Sequence, residues 1–440
     1  MKIFSFLISL KYFKYLIIIL LLLELTFITI KNSSLSTYSD KWIVITAFNP
    51  PFPSLINLLN IIEDWKIVVI SNNNKIDIKW KELNYSNKII YLTLKEQMKL
   101  GYCILKFLSF NSYARKNIGY LYAIQHGAKE IFEINEDIVI SDLNSFNLNF
   151  NKIYFGIRND SKMINPYIHF GENHIWPRGF RLRDIGNQCY NKFYTLDTTD
   201  LKLTPLIYQG IINGVPDIDS IFQKTKISNY EYNFSFIDPL IYFPGYFIPI
   251  NSKNTKYLYS LFPFLALPST ISEKISDILR GYILQYFAWR YNGCVVYHSS
   301  HNYNRKKNIS KNTNFIEEKN LFYNLDNYLD VLNKASKLKK NEIDTLFYII
   351  KNLVNLGFLG EKDLKIYKAY IDDLSNIGYT YTSKFVNQIK YNYNEYITSS
   401  IEINSYFPYK PYEFLKINHK IIKSFYHQKP LMKYEILFNI

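Results

Sequence analysis

Residues 117–137 read NIGYLYAIQHGAKEIFEINED. Within this stretch, residues 117–128 have helical spacing, residues 129–134 form an apolar strand pattern, and acidic and polar residues end that strand. Two earlier runs, WIVITA at 42–47 and KIVVIS at 66–71, have the same strand pattern. Because strands alternate with helices at this spacing, the sequence predicts an α/β fold with a mostly parallel central sheet.

The rest of the chain divides into a mixed middle, a helical region and a tail. Residues 165–301 contain loops punctuated by Pro and Gly, together with a helix predicted over 272–290. Residues 316–380 have helical periodicity, and residues 381–440 are rich in Tyr and Asn with weak periodicity. We therefore expect one α/β domain over 41–315, then the helical region, then a tail of undefined structure.

The N-terminal segment 12–30 is apolar and contains the run LIIILLLL at 16–23. Its length is close to the roughly 20 residues that an α-helix needs to cross a bilayer. Lys2, Lys11 and Lys14 lie before or at the start of this run, which favours a cytoplasmic N-terminus. The pattern predicts a single-pass type II signal-anchor with the rest of the chain on the lumenal side.

Residues 1–11 are then a short cytoplasmic tail, and residues 31–40 are a polar stem. A cleavable signal peptide is the alternative, and its nearest candidate cleavage site is Ser34-Leu35-Ser36. In either case the body of the protein enters the secretory pathway, where N-x-S sequons become available for glycosylation. Such sequons begin at Asn32, Asn84, Asn159, Asn233 and Asn308.

Composition argues against several classes of protein. An apolar fraction of 48% and an aromatic fraction of 18% are too high for a disordered chain. The formal charge of +15 comes from scattered lysines with no basic stripe, so no nucleic-acid partner is expected. Cys103, Cys189 and Cys294 show no C-x-x-C spacing, which argues against a zinc site or a disulfide scaffold. The sequence also lacks the G-x-S-x-G, H-E-x-x-H, P-loop and G-x-G-x-x-G motifs.

Glu133, Asn135, Glu136 and Asp137 lie at the end of the predicted strand 129–134. Ligands of open α/β sheets bind beyond the carboxyl ends of the strands. Carboxylate and amide oxygens are the ligands that hard cations such as Mg²⁺ and Mn²⁺ prefer. The sequence therefore predicts a metal and diphosphate site with Asn135, Glu136 and Asp137 as metal ligands. An ordinary solvated turn is the alternative.

A second acidic pair occurs in the segment PDIDS at 216–220. Asp217 and Asp219 are two residues apart, so both carboxylates point the same way if the segment is extended. This arrangement suits joint contact with a metal or a sugar hydroxyl. The alternative is that an Asp is the N-cap of a helix that begins near Ser220.

Two further places combine polar or charged groups with apolar surroundings. Asp277 and Arg280 are three residues apart on the predicted helix 272–290 and share one face. Asp277 could present a catalytic base to a cleft, or the two residues could simply pair with each other.

His169 and Arg178 lie among aromatic residues and could hold a sugar or phosphate. A buried core histidine is the alternative for His169.

Taken together, these segments resemble the STELLO (DUF288) family of glycosyltransferases, which are single-span Golgi proteins best known in plants. The resemblance continues to about Tyr379 and covers most of the chain. The segments that carry it are KWIV from Lys41, RKNIGYLYAIQHGAKEIFE from Arg115, NPYIHFG from Asn165, WPRG from Trp176, QGIINGVPDIDSIF from Gln209, FIPINSKNT from Phe247 and DILRGY from Asp277.

The resemblance implies a GT-A-like nucleotide-diphospho-sugar transferase fold over 41–315, a divalent metal, and a Golgi location with protein partners there. The chain departs from the family at the acidic cluster. The family is richer in Asp at these positions, and this chain has Asn135 and Glu136 there. Plant members also continue well beyond the matched region.

The residues and the resemblance together predict a metal-dependent transfer of a hexose or pentose from a nucleotide sugar to a glycan or glycoprotein acceptor. If the reaction inverts configuration, Asp277 is predicted to deprotonate the acceptor, with Asp217 and Asp219 as alternatives. The residues predicted to contact the nucleotide sugar are Thr46, Asn49, Arg115, Asn117, His169 and Arg178. The competing prediction is a catalytically weakened scaffold for other Golgi membrane proteins. A metal-dependent phosphohydrolase ranks last, because it needs a histidine-rich metal site.

Overall fold

The computed structural model describes residues 38–51, 55, 58–59, 62–82, 87–140, 150–158, 161–172, 174–185, 192–225, 231–299, 302–304, 311–338, 340–382, 385 and 401–402. The predicted membrane span over 12–30, the cytoplasmic tail and most of the stem lie outside these residues. Among the helices of the described part, none is long and apolar enough to cross a membrane.

A large mixed sheet forms the centre of the structure. The strands along the chain are β1 (Lys41–Ala47), β2 (Lys66–Ser71), β3 (Ile89–Leu92), β4 (Glu130–Ile134), β5 (Ile138–Val139), β6 (Lys152–Ile157), β7 (Lys192–Asp197), β8 (Thr204–Gly210), β9 (Asn213–Gly214), β10 (Leu240–Tyr242), β11 (Asn254–Leu258), β12 (Gly293–His298), β13 (Tyr303–Asn304) and β14 (Ile401–Glu402). The main sheet has the order β14-β7-β6-β10-β12-β8-β11-β4-β1-β2-β3, and β5-β13-β9 form a small second sheet.

Helices cover the sheet and continue after it. They are α1 (Asp77–Lys81), α2 (Leu94–Lys99), α3 (Lys116–Gln125), α4 (Pro166–His169), α5 (Ser220–Thr225), α6 (Glu273–Arg290), α7 (Lys311–Ala335), α8 (Glu342–Asn355) and α9 (Glu361–Asn376). The predicted helix over 272–290 is confirmed as α6, with the Ser272 side chain capping its first turn. The predicted helical region is confirmed as α7, α8 and α9.

The β3-β2-β1-β4 unit of the sheet is parallel, as the alternation of strands and helices predicts. The sheet as a whole is mixed rather than mostly parallel, which corrects the prediction. β11 is antiparallel to both of its neighbours, β4 and β8, and β10, β7 and β14 also have antiparallel neighbours. Strands buried on both faces have continuous apolar sequences in either direction, so the pattern does not reveal how they pair.

β1 and β2 are buried on both faces, which explains their unbroken apolar sequences. Trp42 and Val44 face the main core, and Ile43 and Ile45 face a second core on the other side of the sheet. Helix α3 lies close against the main face, because a Cβ at Gly119 would stand only 2.6 Å from Val44 Cγ1. This packing fixes the amino end of α3 next to the ends of β1 and β4.

Capping bonds attach the helical region to the α/β domain. Asp373 in α9 accepts hydrogen bonds from the backbone N–H groups of Cys103 at 2.6 Å and Ile104 at 2.9 Å. Asp363 in the same helix accepts one from the N–H of Ser269 at 2.7 Å. Both carboxylates are buried. The helices therefore pack directly on the domain, and the exact domain boundaries stay a prediction.

Candidate active site

Polar residues from several strands meet at one edge of the central sheet. The carboxyl ends of the parallel strands β1, β2 and β4 lie at this edge. Antiparallel β11 brings its amino end to the same place, because Asn254 lies opposite Ile134. β8 and β12 end next to it, at Gly210 and His298. This is the edge at which α/β sheets bind their ligands.

The acidic turn 135–137 joins β4 to β5 in the middle of this edge. Glu136 Oε2 accepts hydrogen bonds from the N–H groups of Phe48 at 2.8 Å and Asn49 at 3.0 Å. Its other oxygen accepts a hydrogen bond from the side-chain amide of Asn49. Glu136 therefore holds the loop after β1 against the turn after β4, and Asn49 lies beside the turn as part of this contact.

A buried network of charges lies beneath the turn. Glu133, Lys116 and Arg280 are completely buried. Glu133 contacts Lys116 Nζ at 3.2 Å and Arg280 Nη2 at 2.8 Å. Burial alone would raise the pKa of Glu133, but Arg280 and Lys116 lower it to about 2. Lys116 Nζ also donates to Asn135 Oδ1 at 3.1 Å, which extends the positive charge to the turn.

Arg178 joins two of the predicted aspartates. It donates to Asp217 from Nε at 3.0 Å and Nη2 at 2.8 Å, and to Asp277 from Nη1 at 2.9 Å and Nη2 at 3.0 Å. Lys253 Nζ lies 3.0 Å from Asp217. Burial alone would raise the pKa of Asp217, but Arg178 and Lys253 hold it well below its usual range. The alternative in which Asp277 simply pairs with Arg280 is wrong, since Arg280 belongs to the network beneath the turn.

Ser252 connects these two groups of charges. Its N–H donates to Asp277 Oδ2 at 3.1 Å, and its Oγ accepts a hydrogen bond from Arg280 Nη2 at 2.8 Å. The connected network contains the three carboxylates of Glu133, Asp217 and Asp277 and the four cations of Lys116, Arg178, Lys253 and Arg280. One positive charge is therefore in excess within the network, whereas the turn above it adds the carboxylates of Glu136 and Asp137.

Asp219 has a different role in the structure, as the N-cap of α5. Its Oδ1 accepts the N–H of Phe222 at 2.7 Å, and its Oδ2 accepts the indole N–H of Trp176. The helix-cap alternative is thus confirmed for Asp219. Burial, and then the nearby Glu318, raise the pKa of Asp219 to about 7. Glu318 of α7 accepts the N–H of Ser220 at 2.9 Å, so both carboxyl groups face the start of α5.

Thr46 and Asn72 lie at the ends of β1 and β2. Both side chains are buried, yet the Thr46 hydroxyl and both polar atoms of the Asn72 amide make no hydrogen bond within the described structure. Buried polar groups normally find partners. These atoms lack the usual partners but have almost no exposed surface, so a ligand could reach them only after neighbouring groups move. The sequence does not identify Asn72 as a candidate site residue, because a single polar residue after an apolar strand is an ordinary strand end.

Three other residues that the sequence predicts to bind the nucleotide sugar make contacts inside the protein. Arg115 Nε donates to Gln97 Oε1 at 3.0 Å. The Asn117 amide bonds to both the C=O and the N–H of Leu267, at 3.0 and 2.8 Å. His169 Nε2 donates to a backbone carbonyl at 2.8 Å, and burial lowers the pKa of His169 to about 4. These hydrogen bonds hold Arg115, Asn117 and His169 in place inside the protein. Contact of these residues with a ligand stays a prediction.

The chain resembles two plant proteins over most of its length. It is 32% identical over 364 residues to the Arabidopsis thaliana protein named probable glycosyltransferase STELLO1, a match that covers 78% of this chain and 45% of the relative. It is also 32% identical over 359 residues to probable glycosyltransferase STELLO2 of the same plant, with the same coverage. This chain belongs to the STELLO family. It spans about half the length of these curated relatives, and no family model matches it.

The acidic turn of this STELLO-family chain fits a metal ion only in part. Asp137 carries a carboxylate, the hard oxygen donor that Mg²⁺ and Mn²⁺ prefer. Asn135 Oδ1 already accepts hydrogen bonds from Lys116 Nζ at 3.1 Å and from the Tyr113 hydroxyl at 3.0 Å. Both oxygens of Glu136 are likewise occupied, by N–H groups. Within the described residues, no group of three or more His, Cys, Asp or Glu side chains is placed to hold a metal. Mg²⁺ is commonly held by one or two protein groups together with substrate phosphates, so a cation here would need the diphosphate as well.

The structure adds residues to the candidate site that the sequence does not single out. Lys116 and Lys253 are ordinary lysines in a lysine-rich chain, and only their contacts with Glu133 and Asp217 distinguish them. Lys253 does lie in FIPINSKNT, one of the segments that carry the STELLO resemblance. That segment is therefore the signal that could have found it.

Proposed function

We propose that this chain is a glycosyltransferase that moves a sugar from a nucleotide sugar to a hydroxyl group of a glycan or glycoprotein. One observation carries the proposal. Residues far apart in the sequence meet at the carboxyl edge of the β3-β2-β1-β4 unit, where a positively charged network lies beneath an acidic turn. The names of both relatives support the same activity. The mixed sheet followed by helices is consistent with the GT-A-like fold expected over 41–315.

The donor is proposed to lie along this edge. Thr46 and Asn72 supply polar atoms at the β1–β2 end, which suit a base or ribose. The turn 135–137 is proposed to lie at the diphosphate, with the buried Lys116 directly beneath it. As the sugar departs, negative charge develops on the diphosphate and has to be stabilised. When bound at Asp137, a Mg²⁺ or Mn²⁺ ion would add positive charge at that point.

Asp277, Asp217 and Asp219 are the candidates for the base of an inverting transfer. Asp277 lies where the two groups of charges meet, and we propose it first. The low pKa of Asp217 makes it a weak base. Asp219 has a pKa of about 7, which suits a general base, but it is completely buried as a helix cap. Replacing the true base by Asn should lower kcat and leave the affinity for the nucleotide sugar unchanged.

The cellular setting is proposed from the apolar N-terminal segment and from the resemblance. We place the protein in the Golgi membrane as a single-pass type II protein with its anchor at 12–30 and its body in the lumen. The transferred sugar is proposed to be a hexose or a pentose. Other Golgi proteins are proposed partners.

A second function is favoured by the contacts of Glu136. Because Glu136 holds the loop after β1, the acidic turn has less capacity for metal than a turn with two uncommitted carboxylates. This observation supports a catalytically weakened protein that keeps the fold and acts as a scaffold for other Golgi membrane proteins.

Thermal unfolding of the full chain in mild detergent separates the two functions. UDP, GDP, UDP-glucose and GDP-mannose are added with and without Mn²⁺. A ligand at a hundred times its Kd stabilises the folded state by about 2.7 kcal/mol, a readily measured shift in Tm. We expect one nucleotide pair to raise Tm, and the effect of Mn²⁺ to disappear in Asp137→Asn but not in Asp200→Asn, which changes an exposed residue. Folded protein that responds to none of these ligands would favour the scaffold.

A further inference from the structure

The segment that ends β12 and forms β13 contains a group of buried hydrogen-bond acceptors. His298 Nε2, Asn302 Oδ1 and Asn304 Oδ1 have no hydrogen-bond partner within the described structure. Their side chains are 1%, 0% and 7% exposed. Buried polar atoms are normally paired. Three unpaired atoms so close in the chain indicate that a group from outside the protein completes them.

The unpaired nitrogen of His298 is an acceptor. Its other ring nitrogen, Nδ1, lies 2.9 Å from the carbonyl oxygen of Ser299. A carbonyl oxygen can only accept, so Nδ1 carries the proton. Burial lowers the pKa of His298 to about 4, so the ring is neutral at pH 7 and Nε2 keeps its lone pair. All three unpaired atoms are therefore acceptors, and the missing group has to be a donor.

The side chains of His298 and Asn302 form one cluster together with Asn254. A Cβ at Gly210 would stand 2.1 Å from Asn254 Nδ2 and 3.0 Å from His298 Cε1, so both side chains lie against this glycine. Asn302 Nδ2 donates to Asn254 Oδ1 at 3.1 Å. Asn302 and Asn304 are two residues apart at a strand and face the same side. We call Asn254, His298, Asn302 and Asn304 the amide cluster.

The amide cluster lies beyond the acidic turn when the edge is followed away from β2. Asn254 is opposite Ile134, the last residue of β4, and β8 and β12 come next. Neighbouring strands are about 4.8 Å apart, so the cluster starts about one strand from the turn. Thr46 and Asn72 lie on the other side of the turn. A nucleotide sugar has the same order, with its diphosphate between the base and the sugar.

We propose that the amide cluster binds the sugar to be transferred, whose ring hydroxyls donate to Asn302, Asn304 and His298. The proposal rests on the proposed function. Hydroxyl groups are neutral donors, whereas phosphate and carboxylate groups bring further acceptors. A metal ion also seeks acceptors, but the cluster contains no carboxylate. The Lys256 ammonium is close enough to act on His298, and its charge opposes a cation there.

Calorimetric titration of the full chain tests the proposal. UDP is compared with UDP-glucose, and GDP with GDP-mannose, for the wild type and for Asn302→Ala and Asn304→Ala. Loss of one hydroxyl contact should weaken the nucleotide sugar about five- to tenfold. The affinity for the corresponding nucleoside diphosphate should stay the same, because it lacks the sugar. Asn355→Ala, which changes an exposed residue at the end of α8, is the matched control and should change neither affinity.

Several results would overturn the proposal. Equal weakening of the nucleotide sugar and the diphosphate, or no weakening of either, shows that the cluster does not hold the sugar. Binding of MnCl₂ alone that is lost in both variants shows a metal site instead. If the wild type binds none of the four nucleotides, the proposed function fails and this proposal fails with it. If Asn302→Ala does not fold, Asn304→Ala decides the test. The Asn304 side chain donates one hydrogen bond within the described structure, to the carbonyl of Val215 at 3.1 Å, so its removal disturbs the fold little.

Discussion

Glu133 is the carboxylate on which two buried cations depend. Lys116 and Arg280 both contact it, and all three side chains are completely buried. Removing one partner from a buried ion group leaves an uncompensated charge in an apolar surrounding. We therefore expect Glu133→Gln to lower the free energy of unfolding by about 3–5 kcal/mol. Urea unfolding of the full chain at pH 7 measures this loss.

Glu130→Gln is the matched control, because Glu130 lies on the same strand and also contacts a lysine. Its side chain is 29% exposed, and its oxygen lies 3.1 Å from Lys256 Nζ. Partly exposed ion pairs contribute less than about 1 kcal/mol. Equal losses for the two variants would show that the two cations beneath the turn do not depend on Glu133.

Asp219 should make stability depend on pH in an unusual direction. Its pKa in the folded protein is about 7, raised from 3.8 by burial and then by Glu318. Between these two values the folded state holds a proton that the unfolded chain releases. The contribution of Asp219 is therefore fully present at low pH and is lost as pH rises through about 7. Asp219→Asn cannot titrate.

The unfolding free energies of wild type and Asp219→Asn, measured from pH 4.5 to 7.5, test this sign. Relative to the variant, the wild type should lose roughly 1–4 kcal/mol across that range. The difference between the two proteins isolates Asp219 from buried histidines such as His169 and His298, whose lowered pKa values act in the opposite direction. A difference that stays constant with pH would contradict the raised pKa.

Residue patterns predict what a residue can do but not which partner it meets. The sequence places Asp217, Asp219 and Asp277 among the candidates, and one of its two alternatives for Asp219, the helix cap, is confirmed. It does not show that Arg178 bridges Asp217 and Asp277, because these residues are far apart along the chain. Such contacts depend on the path of the loops between strands, which has no periodic signal.

Single elements are the level at which the sequence is most informative. KIVVIS matches β2 in both bounds, and WIVITA matches β1 apart from one residue. Their apolar runs follow from burial on both faces of the sheet. The short strands β5, β9 and β13 have two residues each and no recognisable period, yet they place the acidic turn near the PDIDS segment and the amide cluster. The candidate site therefore depends on the elements that sequence patterns predict least well.

Helix α9 should stabilise the loop at Cys103 and Ile104, because Asp373 binds both of their N–H groups. These N–H groups are at the start of a 3-10 helix and have no partner within it. We expect Asp373→Ala to cost about 1–3 kcal/mol, the range for leaving buried donors unpaired. Hydrogen exchange should become faster at Cys103 and Ile104.

Asp372→Ala is the control for this element, since Asp372 is the neighbouring residue of the same helix and is exposed. Both variants lose an acidic side chain and gain the same helix former, so propensity and net charge change equally. If Asp372→Ala also speeds exchange at residues 103 and 104, the effect comes from the charge or stability of α9 as a whole and not from the capping bonds.

The whole molecule carries a formal charge of +15, and the structure shows where a small part of that charge lies. Four cations and three carboxylates form the connected network at the carboxyl edge, beneath a turn that carries two further carboxylates. Composition alone could not show this, because the lysines and arginines of the network look like the many others in the chain. The resemblance to the STELLO family predicts the fold and the kind of site, and the packing of β11 against β4 shows how distant segments build it.

The proposed lumenal position of the body has a consequence at Asn233. Its sequon, Asn233-Phe234-Ser235, lies in the described structure, and the Asn233 side chain is exposed. An exposed sequon in the lumen is open to N-glycosylation. When the full chain is expressed in eukaryotic cells, we expect endoglycosidase to increase its mobility on a gel. Asn233→Gln and Ser235→Ala should each remove the same increment, whereas Ser235→Thr should retain it. Membrane-bound, folded protein whose mobility endoglycosidase does not change would carry no N-glycan at any of its five sequons, and this would contradict the type II orientation.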